Sequence, residues 1–403
     1  MFLVFNTDGT YDVEIWEHHA KQIEKIGLIN YYKTSFNEPI AKFNHPPFAG
    51  LVSSLILSLS RNLHLPFKII FRLPFAIMDF LTAFYLLRIF ANNKNKYIYT
   101  SFYLLNPITF IMSAYHGNTD SAVGLVILAT IYYISQNKYL LAGLIFGLGG
   151  WLKWIIILAC PVLFFALPDF KKRVKFFVTA VCTFSVSYFP MLLLVPEVLF
   201  NSVFQYGGIL ITTKAGFIWG IIIFYQYFID LYSKLFIFSM IESLDKLFYW
   251  YFTHERVIIA IVIISYSWLR RYRSSAIDIN KTIGEVFCIF YGLTNHWGFQ
   301  YLAWSTPFWV FLGLPFAIFI LVSTTGYIYL LYSLVCGSWF LVGKWDFAGH
   351  PYLSKPILFF RDFSVSVFLG SSLYFFVTAA LEKLNFFKSK QIVRIVIYPK
   401  HTK

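Results

Sequence analysis

Charge is scarce in this chain: of 403 residues only 13% are Asp, Glu, Lys or Arg, about half the ~25% of ordinary soluble domains. So little charge cannot keep a globule of this size in water. Cysteine is scarcer still, with four residues, Cys160, Cys182, Cys288 and Cys336, each alone in an apolar stretch. Single, unpaired spacing excludes a disulfide framework or a zinc site, and all four read as small core residues. An N-terminal leader is also missing from view, because Met1 to Phe5 falls short of the ~7–15-residue apolar core of a cleavable signal. No internal repeat relates the two halves of the chain.

Long apolar runs fill the space that charge leaves. Apolar residues make up 58% of the chain and gather in runs such as Tyr97 to Ser113, Thr119 to Ile134, Tyr139 to Leu167 and Phe176 to Val195. Several approach the ~20 residues that a spanning helix needs, and the whole chain accommodates about nine to eleven crossings. The expected fold is an all-α, polytopic transmembrane bundle. Its parts are a polar platform over 1–45, a transmembrane domain over 46–385 and a basic tail over 386–403.

The net charge of +14 does not indicate nucleic acid, because the basic residues form short clusters between apolar runs. Asn92 to Lys96, Lys171 to Lys175, Arg270 to Arg273 and the tail from Lys388 fit the positive-inside rule and read as cytoplasmic. Three apolar runs between the first two clusters would be an odd number of crossings. Tyr139 to Leu167 restores parity if it is a broken, re-entrant pair, since it carries Gly143, Gly147, Gly149 and Gly150 before Lys153. His116 to Asp120 then face the exoplasm. A lysine at such depth usually faces a cavity or a partner, with snorkelling as the alternative. Placing residues 6–45 on the same exoplasmic side requires Leu63 to Phe75 to be a half-crossing or interfacial piece.

The N-terminal stretch is acidic, with Asp8, Asp12, Glu14, Glu17, Glu24 and Glu38. Val13, Trp16, Ala20, Ile23 and Ile26 recur at helical spacing, which predicts an amphipathic helix on the membrane surface, ended by Gly27 and Tyr31-Tyr32. The stretch closes on Phe43-Asn44-His45-Pro46-Pro47-Phe48, where proline suits the first turn of the next helix.

Taken in order, these motifs resemble the GT-C integral-membrane glycosyltransferases. Asp12-Val13-Glu14-Ile15-Trp16, Gly27-Leu28, Tyr31-Tyr32 and Phe43 to Phe48 are similar to that family's first exoplasmic loop, although only Met1 to Phe5 stand where the family has a preceding transmembrane helix. Phe71 to Asp79 resembles its third-helix segment, and Tyr115-His116-Gly117-Asn118-Thr119-Asp120-Ser121 its short second polar motif. Ala142 to Lys153, running on to Pro161, looks like its glycine-rich helix ending in a base. His296-Trp297-Gly298-Phe299-Gln300-Tyr301-Leu302-Ala303-Trp304 is similar to the Gln-Tyr-Leu-x-Trp segment of its lipid-linked mannosyltransferases. The resemblance covers roughly residues 8–310, and its specificity lies in the order of the motifs.

The resemblance implies transfer of a sugar, most plausibly mannose, from a polyprenyl-phosphate donor to a lipid-linked or glycan acceptor at the exoplasmic face, with inversion. The membrane would be the plasma membrane in a prokaryote and the endoplasmic reticulum in a eukaryote. Asp12 is the expected catalytic carboxylate, which takes or orients the acceptor proton. Lys153 or His296 would meet the phosphate, where positive charge offsets the developing anion. Asp8, His45, His116, Asp120, Gln300 and Tyr301 complete the expected substrate-binding set. No cofactor and no metal ligands are expected, and a divalent-ion requirement is left open.

Plainer roles compete: Asp8, Asp12 and Asp120 as helix caps, Asp79 with Arg72 as an internal ion pair, and Trp297 and Trp304 in an interfacial belt. At the level of the whole chain the alternatives are a secondary transporter or lipid flippase, and a non-catalytic membrane partner of a glycosyltransferase complex.

Overall fold

A backbone in hydrocarbon must satisfy its own N–H and C=O groups, and the apolar runs of this chain do so as helices. The computed structural model describes residues 1–36, 42–205, 218–234, 238–271, 274–350 and 352–397, with the backbone alone at 238–241 and 384–397. Glu38, Tyr272, Arg273 and the side chains of the 386–403 tail therefore lie outside the described residues. Among the described residues every regular element is helical. Five helices are long and apolar enough to cross a membrane: Phe67–Ile89, Phe170–Leu194, Glu242–Leu269, Leu314–Val335 and Lys355–Lys383. The shorter apolar helices Asp120–Ser135, Tyr139–Leu152 and Trp154–Ala166 complete the bundle. The chain is an all-α, multi-pass membrane protein.

The first amphipathic helix is Tyr11–Ile26, ended by Gly27 at φ +79°. Its apolar face meets protein, which corrects the expectation of a helix resting on lipid. Val13, Trp16, Ala20 and Ile23 are buried in one cluster with Tyr31, Tyr32, Phe43, Ile56 and Phe71. The following helix, Leu28–Ser35, carries the tyrosine pair, and Pro47–Asn62 lies against Tyr11–Ile26 and covers the face that would otherwise touch the bilayer.

Pro47–Asn62 is also joined to the platform by side chains. At its start His45 stacks on Trp16, with ring centroids 4.1 Å apart, and at its end Arg61 pairs with Glu24 at 2.8 Å. Lys68, just beyond, pairs with Asp8. Both ends are thus tied to the platform. Leu63 to Phe75 is not a separate piece, because Phe67–Ile89 is one continuous helix.

The glycine-rich run is broken as its composition predicts. Tyr139–Leu152 ends at Lys153, whose backbone is extended at φ −153° and ψ 118°, and a short 3-10 turn leads into Cys160–Ala166. Gly143 lies against Phe176, Gly147 against Ala180 and Gly150 against Phe184. The order is the same along both helices, so Tyr139–Leu152 and Phe170–Leu194 run parallel. Parallel neighbours need a return path between them, and Trp154–Ala166 is that return. At Gly147 a Cβ would come within 2.6 Å of the Ala180 carbonyl oxygen, so only glycine permits this approach. Of the cysteines, Cys288 and Cys336 are buried as expected and Cys160 partly so, whereas Cys182 is exposed on the outer face of Phe170–Leu194.

The platform carries a pH dependence. His19 is buried, its Nδ1 2.6 Å from the Tyr31 hydroxyl, and burial first, then the neighbouring His18, push its pKa down to about 3. Between about 6.5, the unfolded value, and 3 the unfolded chain binds a proton that the folded chain refuses. Stability from this group is therefore full above the unfolded value and falls as pH drops through that window. Thermal melts in detergent should show a falling transition temperature from pH 7.5 to 5, and a shallower fall in His19→Gln. Equal slopes in both proteins would contradict this.

Candidate functional site

The site begins with a buried arginine. Arg72 is fully enclosed, and its guanidinium donates to the carbonyls of Leu3, Val4, Thr7, Lys68 and Ala114 and to the Thr7 hydroxyl, at 2.6–3.3 Å. It does not pair with Asp79, which corrects the expected ion pair. Asp79 instead accepts from the Tyr103 and Ser113 hydroxyls, because the arginine side chain turns toward the N-terminal segment. Arg72 thereby fastens the segment that leads into Tyr11–Ile26 to the π-helical turn Ile111–His116. Gly117 ends that turn at φ +67°, where a Cβ would lie 2.3 Å from Arg72 Cγ. Glycine is required there by both backbone and space.

Two segments distant in sequence meet across this junction. Asp12 Oδ2 lies 2.9 Å from His116 Nε2 and 3.5 Å from Asn118 Nδ2. His116 Nδ1 lies 2.6 Å from the Tyr332 hydroxyl, on Leu314–Val335. Asp12 is not a helix cap: the N-cap is Thr10, without a side-chain cap bond, and the Thr10 hydroxyl donates to the His116 carbonyl. Protein surrounds Asp12, yet 37% of its side-chain surface stays open. Burial by itself raises its pKa. His116, by charge and hydrogen bond, then Lys153 and Asn118 more than offset this, so the carboxyl titrates below the usual carboxylate value.

A second cluster stands behind the first. Asp120, almost fully buried, accepts from Lys153 Nζ at 3.1 Å and from the Trp304 indole. Its carboxylate makes no cap bond, since the N-cap of Asp120–Ser135 is Thr119. Lys153 does not snorkel away: the break in its helix turns it inward, where its charge also acts on Asp12 and His45. Tyr301 stacks on Trp304 at 4.3 Å. Trp297 stacks on Trp219 at 3.6 Å, and Trp297 and Trp304 are both buried. These tryptophans are core groups, which corrects the interfacial-belt reading, because each finds its partner inside the bundle.

The remaining predicted residues are spread more widely. Asp8, exposed, pairs with Lys68, whose hydrogen bond first holds the Asp8 carboxyl below its usual pKa. His45 stacks on Trp16, and burial first, then Lys153, push its imidazole well below the usual value. Gln300 is half-buried beside Gly298. His296 lies 3.8 Å from Glu255, a buried carboxylate that also accepts from the Thr294 hydroxyl and the Asn295 backbone at 3.0 and 2.7 Å. Among the described residues no three His, Cys, Asp or Glu side chains gather where one ion could be held.

Tyr332 and Glu255 escaped sequence reasoning. Each sits within a long apolar helix. For Glu255 the ionisable residue inside a spanning run was available as a clue; for Tyr332, one of 28 tyrosines, none was.

Fold and site together define a multi-pass helical membrane protein with a partly open carboxylate paired to a buried imidazole and a lysine–carboxylate pair beside it. Among known proteins, the chain is similar to GPI mannosyltransferase 1 of Saccharomyces cerevisiae, 30% identical over 95 residues, 23% of each chain. It is also similar to GPI mannosyltransferase 1 of Kluyveromyces lactis, 27% identical over 130 residues, 31% of each chain. The matched stretches thus span about a quarter to a third of those relatives. No protein-family model and no solved structure matches the chain.

If Arg72 holds the junction, Arg72→Met should leave several buried carbonyls without donors, each costing about 1–3 kcal/mol. Thermal melts and limited proteolysis near residues 1–10 should register the loss. A variant as stable and protease-resistant as the parent would show that the N-terminal segment is held elsewhere.

Proposed function

We propose that this protein is a glycosyltransferase that moves mannose from a polyprenyl-phosphate donor to a lipid-linked glycan, of the GPI glycolipid class, at the exoplasmic face of its membrane. The observation that carries the reading is Asp12 itself. It is a partly open carboxylate, its pKa held below the usual value and one oxygen oriented by His116 and Asn118. The names of the yeast relatives support mannose and a GPI acceptor.

The chemistry follows from the geometry. An acceptor hydroxyl attacks the anomeric carbon as the carbon–oxygen bond to the lipid phosphate breaks. Asp12 takes the hydroxyl proton as the new bond forms. Lys153, held by Asp120, supplies positive charge for the phosphate oxygen that leaves. Attack from the face opposite the phosphate inverts the anomeric centre. Tyr301, half-buried and stacked on Trp304, would give a sugar ring an aromatic face near Asp120, while Asp8, His45, His296 and Gln300 would contact substrate farther out.

Membranes containing the protein, supplied with radiolabelled polyprenyl-phosphate mannose and a GPI glycolipid acceptor, should form labelled product. Asp12→Asn should reduce transfer by about 10²–10⁴-fold, the range of a general base, with expression and insertion unchanged. Transfer by Asp12→Asn at the parental rate would remove Asp12 as the base, and no transfer by the parent would remove the proposed donor or reaction.

A further inference from the structure

Asp79 is an acid inside a spanning helix that the transfer chemistry leaves without a task. It lies in the middle of Phe67–Ile89 with 7% of its surface open, and an ionisable side chain at such depth is costly unless the bundle interior gives it partners. Its partners are two hydroxyls. Oδ1 lies 3.1 Å from the Tyr103 hydroxyl, and Oδ2 meets the hydroxyl of Ser113. Ser113 is fully buried and belongs to Ile111–His116, the turn that ends on the imidazole facing Asp12.

That turn is of a kind that needs support from outside. Its hydrogen bonds span five residues, as from the Gly117 N–H to the Met112 carbonyl at 3.1 Å, a pattern that is rare beside the α-helix and occurs mostly as single turns at functional sites. If the turn relaxed to the four-residue bonds of an α-helix, the backbone after Ser113 would rotate about the helix axis. His116 would then leave its place 2.9 Å from Asp12. Thr10, from the platform, holds the His116 carbonyl, and Arg72 holds the Ala114 carbonyl. Asp79 stands about two helical turns after Arg72 on the same helix, so Phe67–Ile89 grips the turn at two points, one at a carbonyl and one at the Ser113 side chain.

We propose that Asp79 is a positioning residue: through Ser113 it holds the Ile111–His116 turn in the register that sets His116 against Asp12. The proposal rests on the transfer reaction proposed above for its effect on turnover, and on the observed bonds alone for its effect on the Asp12–His116 contact. Tyr103 comes from Lys96–Leu104, so the one carboxyl ties that helix and the turn to Phe67–Ile89. The Ser113 hydroxyl also reaches the Thr109 carbonyl at 3.0 Å. A hydroxyl can donate and accept, so both contacts of Asp79 stand whichever partner carries each hydrogen. For the same reason an asparagine serves both hydroxyls, by its oxygen and its N–H groups, whereas a leucine of similar size serves neither.

The deciding measurement is spectroscopic and needs no turnover. In protein labelled with ¹⁵N-histidine in detergent micelles, the His116 ring N–H that points at Asp12 should give a signal protected from solvent exchange, lost in His116→Gln and displaced in Asp12→Asn. Ser113→Ala and Asp79→Leu should each abolish that protection, while Asp79→Asn keeps it. The signal of His19, in the platform, should stay in place in all three, and Ser113→Ala should melt within a few degrees of the parent. Ser113→Ala removes a single hydroxyl, so it carries the test even where Asp79→Leu does not fold. Survival of the protected His116 signal in Ser113→Ala, or its loss in Asp79→Asn, would overturn the proposal. In the transfer assay Ser113→Ala and Asp79→Leu should lower kcat by up to about 10²-fold, the cost of a misplaced reacting group, with KM nearly unchanged. The double variant should be no slower than Asp79→Leu alone, because both changes remove the same contact. Absence of transfer by the parent would count against the proposed reaction alone, since the histidine signal still decides what Asp79 holds in place.

Discussion

Everything at the site depends on one enclosed guanidinium. Arg72 reaches from a spanning helix into a gap where the N-terminal segment and the Ile111–His116 turn would otherwise leave carbonyls facing one another without donors. Like dipoles packed together in a medium of low dielectric repel, and a planar cation with five N–H groups is suited to satisfy them. Six hydrogen bonds converge on it, and each comes from a backbone or side chain whose position then fixes a neighbour. Thr7 fixes the entry to Tyr11–Ile26 and thus Asp12; Ala114 fixes the turn and thus His116.

The two carboxylates of the site are tuned by where they stand relative to water. Asp12 is open on one side, so its carboxylate can meet an incoming hydroxyl while protein donors hold it ionised. Asp120 is closed off and bonded to Lys153 and Trp304. A buried pair of this kind retains its charge because each partner satisfies the other, and removing either would strand an ion. The open carboxylate suits proton transfer, and the closed pair suits holding a cation in place.

How much of this could be read beforehand depended on the range of the interactions. The helical class, the platform helix and the break before Lys153 show in local patterns, since periodicity of apolar residues and glycine spacing are properties of a few consecutive residues, whereas Asp12 and Asp120 stood out as candidate acids only through the resemblance in motif order. Reading from local pattern also misled. Arg72 and Asp79 stand at helical spacing and suggested an ion pair, but the arginine is drawn to carbonyls contributed by residues 3–7 and 114. The aromatic cluster from Trp297 to Trp304 suggested a membrane border, yet its rings are enclosed by Trp219 and Asp120, which lie far away in the chain.

The sequence by itself determined that the chain is helical, crosses a membrane several times, and carries its acids and bases in a few short polar segments, because those outcomes follow from the free energy of placing each residue in water or hydrocarbon. Only the tertiary structure decided which acid meets which base. The separations between partners, 104 residues for Asp12 and His116, 216 for His116 and Tyr332, and 184 for Asp120 and Trp304, exceed any spacing that local geometry constrains. What joins them is the packing of helices whose apolar faces are alike in composition and differ in shape, and shape is a property of the folded bundle.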